Sequence, residues 1–589
     1  MSPRHYVSRI AAGLWLNTIS VVLPCAILLL PEAARAQVVP PPGSPLPGVL
    51  VPTPPQVSAA PAPALVQPTP VNPALMHAIT GVSLEGATVF TAADLGDLLA
   101  GLTGPQVPVA RIEAARAAIL NRYRAAGFVY VTVYARISHD RLRFVVTEGR
   151  IVDVKLDGDI GPAATQVLKF LNHLTAVAPI DTATLERWIL LAGDVPGVSI
   201  SVTVNPSATD PGALTLIARL TRTKFNGQVQ ADNRAFRETG PQEIVLQGTA
   251  NSFTSLGERT QVSLFHSPDN TESFGQLSED FFVGGSGLRV HLYGGAGETT
   301  PSGSLAALGY DGITRVGGVE LDYPLIRSRR ETLNLSALLD VIESDIHTDT
   351  GANGQPARAS FDSLRVLRAA VDYALYDIWL GPSLGASDQV NARVSQGLPD
   401  FGASNGHSRD LARLNERIDF TKANASAERL QSLFSLWNGA GASIRLAAEG
   451  QYSRNILPPE EKFYLGGAHF TRGFYSGEVT ADSGLALTAE PRIDTKIKQF
   501  GTLPHWLGGD LPAVQFYGFY DWGEAWQNQT TDAGHTLRSV GGGARIFAGP
   551  RVEVDVEGVS RLTRTPDGAA PEVSRLKSSA LYWQVVCRF

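Results

Sequence analysis

From residue 222 to residue 589, hydrophobic residues recur at every second position between turns rich in Gly, Asn, Asp and Ser. Val552, Val554 and Val556 alternate with Arg551, Glu553, Asp555 and Glu557. Leu288, Val290 and Leu292 alternate with Arg289, His291 and Tyr293, and Val319, Leu321 and Tyr323 with Glu320 and Asp322. The same holds for Ile444, Leu446 and Ala448 against Arg445 and Glu449, and for Leu485, Leu487 and Ala489 against Thr488, Glu490 and Arg492. Each run has one apolar and one charged side, the signature of a half-buried strand.

A soluble sheet with one wet face alternates in the same way. A sheet in lipid must also close on itself, because hydrocarbon cannot satisfy an open edge. Its strands run about 9–11 residues, with longer loops at one end. Sixteen strands over this region leave about 23 residues per strand plus connection, a comfortable value. The pattern therefore predicts a transmembrane β-barrel of 16 antiparallel strands over residues 222–589. Its last strand places Leu581, Trp583, Val585, Cys587 and Phe589 on one face and Tyr582, Gln584 and Arg588 on the other.

Upstream the period changes. Ile79 to Val89 reads as a strand, and Thr91 to Leu102 as a short helix with Thr91 as its N-cap. Ile112, Ala115, Ile119 and Tyr123 recur at helical spacing in a second helix that starts near Val109 and ends at Gly127. Val129 to Ile137 and Arg141 to Val146 follow as strands around the turn Ser138-His139-Asp140. The order is β-α-α-β-β, and it recurs from Ile151 to about Arg222. Strands are expected at Val152 to Leu156, Ser199 to Val204 and Ala213 to Leu220, and helices at Ala163 to Leu174 and Thr182 to Ala192. Two α+β modules, residues 77–150 and 151–221, thus precede the barrel.

Composition adds an address and removes several classes of function. Residues 1–36 read as an export signal: Arg4 and Arg9 begin it, Val21 to Leu30 supply most of an apolar core, and Ala34-Arg35-Ala36 offers a cleavage site. Residues 37–76 form a Pro-rich linker, with 13 prolines in the 34 positions from 40 to 73. Such a segment favours extended polyproline II conformers over a packed core. At 44% hydrophobic and 18% charged residues the chain as a whole is not disordered. A formal charge of −7 excludes a whole-protein basic footprint for nucleic acid. No catalytic constellation emerges. Gly381-Pro382-Ser383-Leu384-Gly385 and Gly402-Ala403-Ser404-Asn405-Gly406 match G-x-S-x-G, but neither stands at the strand-to-helix turn that a nucleophile elbow needs. The histidines show no metal spacing. No enzyme activity, cofactor or metal is expected.

Several strings resemble one superfamily. Tyr123-Arg124-Ala125-Ala126-Gly127-Phe128, and Leu190 to Val198 with its Pro-Gly, resemble parts of tandem POTRA domains, the periplasmic modules of outer-membrane barrel transporters. Leu465-Gly466-Gly467-Ala468-His469-Phe470-Thr471-Arg472-Gly473-Phe474 resembles the lid-loop motif of the POTRA-barrel superfamily. Phe519-Tyr520-Asp521-Trp522-Gly523 resembles its Phe-x-Asp-x-Gly strand motif. The terminal Phe589, with Trp583 on the same face, resembles the C-terminal assembly signal of bacterial outer-membrane barrels.

Strand phasing puts Val514, Phe516, Tyr520 and Trp522 on the lipid face, and Gln515, Tyr517, Phe519 and Asp521 in the lumen. The resemblance implies a loop tip of Thr471, Arg472, Gly473 and Phe474 folded into the pore. Its partner motif on the wall is Phe519, Asp521 and Gly523, with Arg472 meeting Asp521 through a planar fork.

Among the superfamily, two POTRA modules and one barrel best resemble the TpsB transporters of two-partner secretion. What that implies is an outer-membrane protein with periplasmic modules that exports a partner exoprotein of adhesin or haemolysin type. Its other expected partners are outer-membrane lipid and the barrel-assembly machinery that inserts it. The alternatives are a membrane-protein insertase of the same superfamily and a passive porin. The resemblance does not extend to the plug helix common in TpsB proteins, because no clear amphipathic helix precedes the first module.

Overall fold

A computed structural model describes residues 75–589, apart from 238, 303–305, 350–354, 406–409, 438, 497–500, 505–506, 508, 510, 530–533 and 567–574. The expected export signal, and the proline-rich segment up to residue 74, lie outside the described residues.

In the first module the helix Val109–Ala125 turns Ile112, Ala115, Ile119 and Tyr123 inward, the face expected from their spacing. They pack on Val131, Val133, Leu142, Phe144 and Val146 from the strands Val131–Ser138 and Arg141–Glu148. Burial pushes the carboxyl of Glu148 up, but hydrogen bonds outweigh that and hold it below the ordinary carboxylate range. The donors are the Tyr123 hydroxyl at 2.7 Å, the Thr88 and Val89 N–H groups at 2.8 and 3.1 Å, and the Thr88 hydroxyl. One charged group thereby ties the strand end to the helix and to the segment before it.

Two local expectations need correction, and one strand was not expected at all. The predicted strand Ile79 to Val89 is two strands, Met76–Ile79 and Gly81–Glu85, which join different sheets. The predicted helix Thr91 to Leu102 shrinks to Gly96–Leu99. Thr91 and Asp94 do exchange capping bonds, with the Thr91 N–H 2.8 Å from Asp94 Oδ2. That turn is not continued into a helix until after Leu95. An unforeseen strand, Gly104–Pro108, pairs with Met76–Ile79. Its two prolines disguised it, although proline is tolerated at a sheet edge.

The second module repeats the plan. Strand Arg150–Asp157 runs parallel to Ala213–Arg222, which pairs antiparallel with Val198–Pro206. Helices Ala163–Leu171 and Thr182–Gly193 cover one face, and Asp181 caps the latter by accepting from the Thr184 N–H at 2.9 Å. This module is seated on the barrel's near turns. Arg327 forks onto Asp194 at 2.8 and 2.7 Å, and Arg187 donates to the carbonyls of Pro324 and Leu325. Phe170 meets Phe282 edge-on, and Gln166 donates to the Gly284 carbonyl.

The rest is one closed antiparallel barrel of sixteen strands, from Phe225–Asp232 to Ser579–Arg588. First and last strands pair directly, with Gln584 opposite Asp232 and Arg588 opposite Gln228. Phe589 extends the seam by exchanging two backbone bonds with Gly227, at 2.8 and 2.9 Å. Trp583 joins it by donating its N–H to Asn233 Oδ1 at 2.8 Å. Closure leaves no edge unpaired, which is what a hydrocarbon environment demands.

The expected alternation has a fixed orientation. Leu292, Val319, Leu321, Leu446, Tyr452, Leu485, Leu487, Val556 and Leu581 are all exposed on the outer surface. An apolar belt of this extent belongs to a surface that lipid covers. Among the described residues no helix is long and apolar enough to cross a membrane, so any crossing is by strands. Gly381 to Gly385 lies between the antiparallel strands Ala357–Asp377 and Ala386–Gly397, not at a strand-to-helix elbow.

These observations predict that the protein sediments with membranes and migrates faster in SDS gels unless boiled, because its backbone bonds are internal and resist detergent. Recovery in the soluble fraction would contradict the barrel.

Candidate functional site: an arginine-tipped loop in the lumen

The segment joining strands Ala440–Ser453 and Ser483–Lys496 leaves at the end remote from the two modules and turns back into the barrel. Within it, Phe463–Leu465 and Val479–Ala481 form a short antiparallel hairpin. Phe463, Leu465, Phe474, Val479 and Ala481 pack with the wall residues Ala486, Ala525 and Leu537 in a buried cluster. The loop therefore carries its own small core against the wall. Its tip is shaped by the Gly466 N–H donating to Thr471 Oγ1 at 2.7 Å and the Phe474 N–H donating to the Thr471 carbonyl at 3.0 Å.

Arg472 is 2% exposed and Asp521 is fully buried. The guanidinium donates through Nε and Nη2 to the two oxygens of Asp521, both at 3.0 Å, and the Arg472 backbone N–H adds a third bond at 2.8 Å. Nη1 donates to Glu490, and Nη2 to the Thr488 hydroxyl at 2.9 Å. The Thr488 hydroxyl in turn donates to Asp521 Oδ1 at 2.5 Å. The Phe519 ring lies 3.7 Å beneath the guanidinium carbon, a cation–π contact.

Both sequence motifs acquire physical reasons. Phe519, Asp521 and Gly523 face the lumen from the strand Ala513–Trp526, while Phe516 and Tyr520 face outward. Phe519 is the platform and Asp521 the anion. At Gly523 an added Cβ would stand 2.8 Å from both Leu465 and Thr471, so the loop lies flush on the strand only where there is no side chain. Gly473 is equally constrained, since a Cβ there would meet Ser539 Cβ at 2.5 Å. Its N–H donates to Ser539 Oγ at 3.1 Å, and its carbonyl accepts from Arg561 Nε at 2.5 Å and the Tyr582 hydroxyl at 3.2 Å. Phe474 is fully buried beside it.

The structure thus brings Thr471, Arg472, Gly473 and Phe474 together with Phe519, Asp521 and Gly523. Trp583 and Phe589 stand apart, in the seam of the barrel.

Sequence reasoning missed the rest of the ionic network. Glu490 also accepts from Arg492 at 2.6 Å and from Arg545 at 3.1 Å. Arg545 reaches Asp555 at 2.9 Å, and the Tyr517 hydroxyl donates to Asp555 and Glu557 at 2.7 and 3.0 Å. Glu557 closes the set by accepting from Arg234 at 2.5 Å. The available signal was charge on the polar side of alternating strands, as at Glu490, Arg492, Asp555 and Glu557. Which of those charges meet is decided by barrel closure. Chemically, the set holds a loop by alternating buried charges.

The fold and this site define a class: a POTRA-barrel, an outer-membrane β-barrel with α+β modules at one mouth and an arginine-tipped loop folded into its lumen. More narrowly, the chain belongs to the haemolysin secretion/activation protein family ShlB/FhaC/HecB, whose model matches residues 216–546, and residues 77–149 match the ShlB-type POTRA domain. It is a TpsB-type transporter of two-partner secretion, set in the outer membrane with its POTRA modules in the periplasm, and its family implies a secreted partner protein.

Among solved structures it is similar to CdiB from Escherichia coli, at 16% identity and a TM-score of 0.69, over 90% of this chain and 94% of that one. It is also similar to CdiB from Acinetobacter baumannii, at 16% identity and a TM-score of 0.60, over 99% and 98% of the two chains. At such identity the likeness concerns the fold. No curated protein sequence matches the chain.

Proposed function

We propose that this transporter carries a partner exoprotein of adhesin or haemolysin type, unfolded, through its own barrel to the cell surface. The observation that carries this reading is Arg472 held by Asp521 inside a closed lumen. A passive pore has no use for a buried ionic strap across its channel, whereas a conduit for a chain needs a movable element there. Thr471, Arg472, Gly473 and Phe474 act as the tip of that element, and Phe519, Asp521 and Gly523 as its seat.

The periplasmic modules capture the partner's secretion signal by strand addition, in which main-chain bonds supply affinity and side-chain pockets supply selectivity. Val131–Ser138 and Val198–Pro206 are edge strands of their sheets and suit that role. The periplasm holds no ATP, so folding of the cargo outside drives its passage. Trp583 and Phe589 serve as the signal read by the barrel-assembly machinery, and the outer apolar belt contacts membrane lipid.

Deleting the gene is expected to remove one large exported protein from the cell surface or medium, and supplying the gene in trans to restore it. An unchanged set of secreted proteins would sink this reading.

A further inference from the structure

The lumenal loop is gripped a second time, close to its root. After Pro458 the chain makes a single turn, Pro459–Glu461, immediately before the hairpin strand Phe463–Leu465. That turn delivers Glu461, which is 1% exposed, to a different part of the wall. Its carboxylate accepts from Arg368 Nη2 at 2.7 Å and Nη1 at 3.1 Å, and from Lys422 Nζ at 2.7 Å. Its backbone carbonyl accepts from Lys422 at 2.8 Å and from Gln451 Nε2 at 2.9 Å. Arg368 is itself braced by Asp340. Two cations and two carboxylates therefore form a charge-neutral buried set, in which an arginine fork binds a carboxylate through two N–H groups.

The two grips use different strands. Counted around the barrel from Phe225–Asp232, Arg368 and Lys422 belong to the eighth and tenth strands, whereas Glu490 and Asp521 belong to the twelfth and thirteenth. The loop is pinned by a carboxylate at its root and by a cation at its tip, to charges of opposite sign in two sectors. We infer that Glu461 is a positioning residue for the lumenal loop, an anchor independent of Arg472, and that the loop clears the lumen only when both anchors are released. This rests on the reading of the loop as the movable element of the conduit.

The two anchors make a specific pattern. Losing either one leaves the segment tethered across the lumen by the other. Each surviving site in a single variant still has its full set of partners, whereas losing both removes the buried charges and leaves only the apolar hairpin contacts and the Gly473 bonds to hold the loop. The test is the conductance of the purified full-length protein in planar lipid bilayers, which needs no cargo and so fails or succeeds separately from the export reading.

Glu461→Gln and Arg472→Ala are each expected to keep the small conductance of the unaltered protein. The double variant is expected to conduct several-fold more. Pairing Arg472→Ala with Glu461→Asp, which keeps the carboxylate, is expected to return conductance to the low level. Full opening by either single variant, a double variant that stays closed, or no rescue by aspartate would each overturn the inference. Assembly is checked by the faster migration of unboiled protein. If Glu461→Gln does not assemble, Arg368→Gln combined with Lys422→Gln removes both cations of the same anchor from the wall side and is judged by the same outcomes.

Discussion

Arg472→Ala is expected to reach the outer membrane at near-normal levels and to secrete poorly. The residue makes no strand-pairing bond, and sixteen closed strands hold the barrel without it. What it does hold is the loop, through a fully buried carboxylate and two further wall partners. Removing one partner of a buried ion pair costs about 3–5 kcal/mol, because the other charge is left uncompensated. At about 1.4 kcal/mol per tenfold, that unseats the tip from its wall partners by roughly two to three and a half decades, while Glu461 still holds the root of the loop on Arg368 and Lys422.

Asp521→Ala should give a similar but milder defect, because Arg472 keeps Glu490 and Thr488. The double variant should be no worse than Arg472→Ala, since contacting residues act as one unit. Secretion is read from the medium and assembly from unboiled gels. Fully additive defects, or normal secretion by Arg472→Ala, would show that this contact does not govern transport.

Deleting residues 77–150 is expected to leave the barrel inserted and to abolish export. The first module has its own core, from Ile79 through Ile119 and Tyr123 to Phe144, and none of it is shared with the barrel. Its connections to the second module are few: the Thr182 N–H and hydroxyl donate to the Gly127 carbonyl, the Ile180 N–H to the Gly149 carbonyl, and Tyr130 leans on the second core. The second module keeps its own seat on the barrel through Asp194 and Arg327. The truncated protein should therefore assemble, while the edge strand Val131–Ser138 proposed to capture cargo is gone. Export at wild-type levels would show that the partner is recognised elsewhere on the transporter.

The order of elements and their faces was legible in the linear sequence wherever one short-range period dominated. The helix Val109–Ala125 buries the residues its spacing selected, and Asp521 faces the lumen because Phe516 and Tyr520 face outward. A strand count of sixteen followed from length and the alternating pattern, since closure is imposed by the solvent rather than by any single residue. Local reading failed where short segments owe their state to a distant partner. Gly104–Pro108 is a strand because Met76–Ile79 lies beside it, and the segment after Thr91 turns before it winds into a helix.

The site divides along the same line. Arg472 and Asp521 could be paired from their motifs, but Glu490, Arg545 and Glu557 around them, and the anchoring of Glu461 by Arg368 and Lys422, could not. Alternation tells which face a charge occupies. Which charges share that face at one height is decided only when the strands close in register and the loop folds between them. Those partners lie 18 to 93 residues apart in the chain, so tertiary structure alone brings them together.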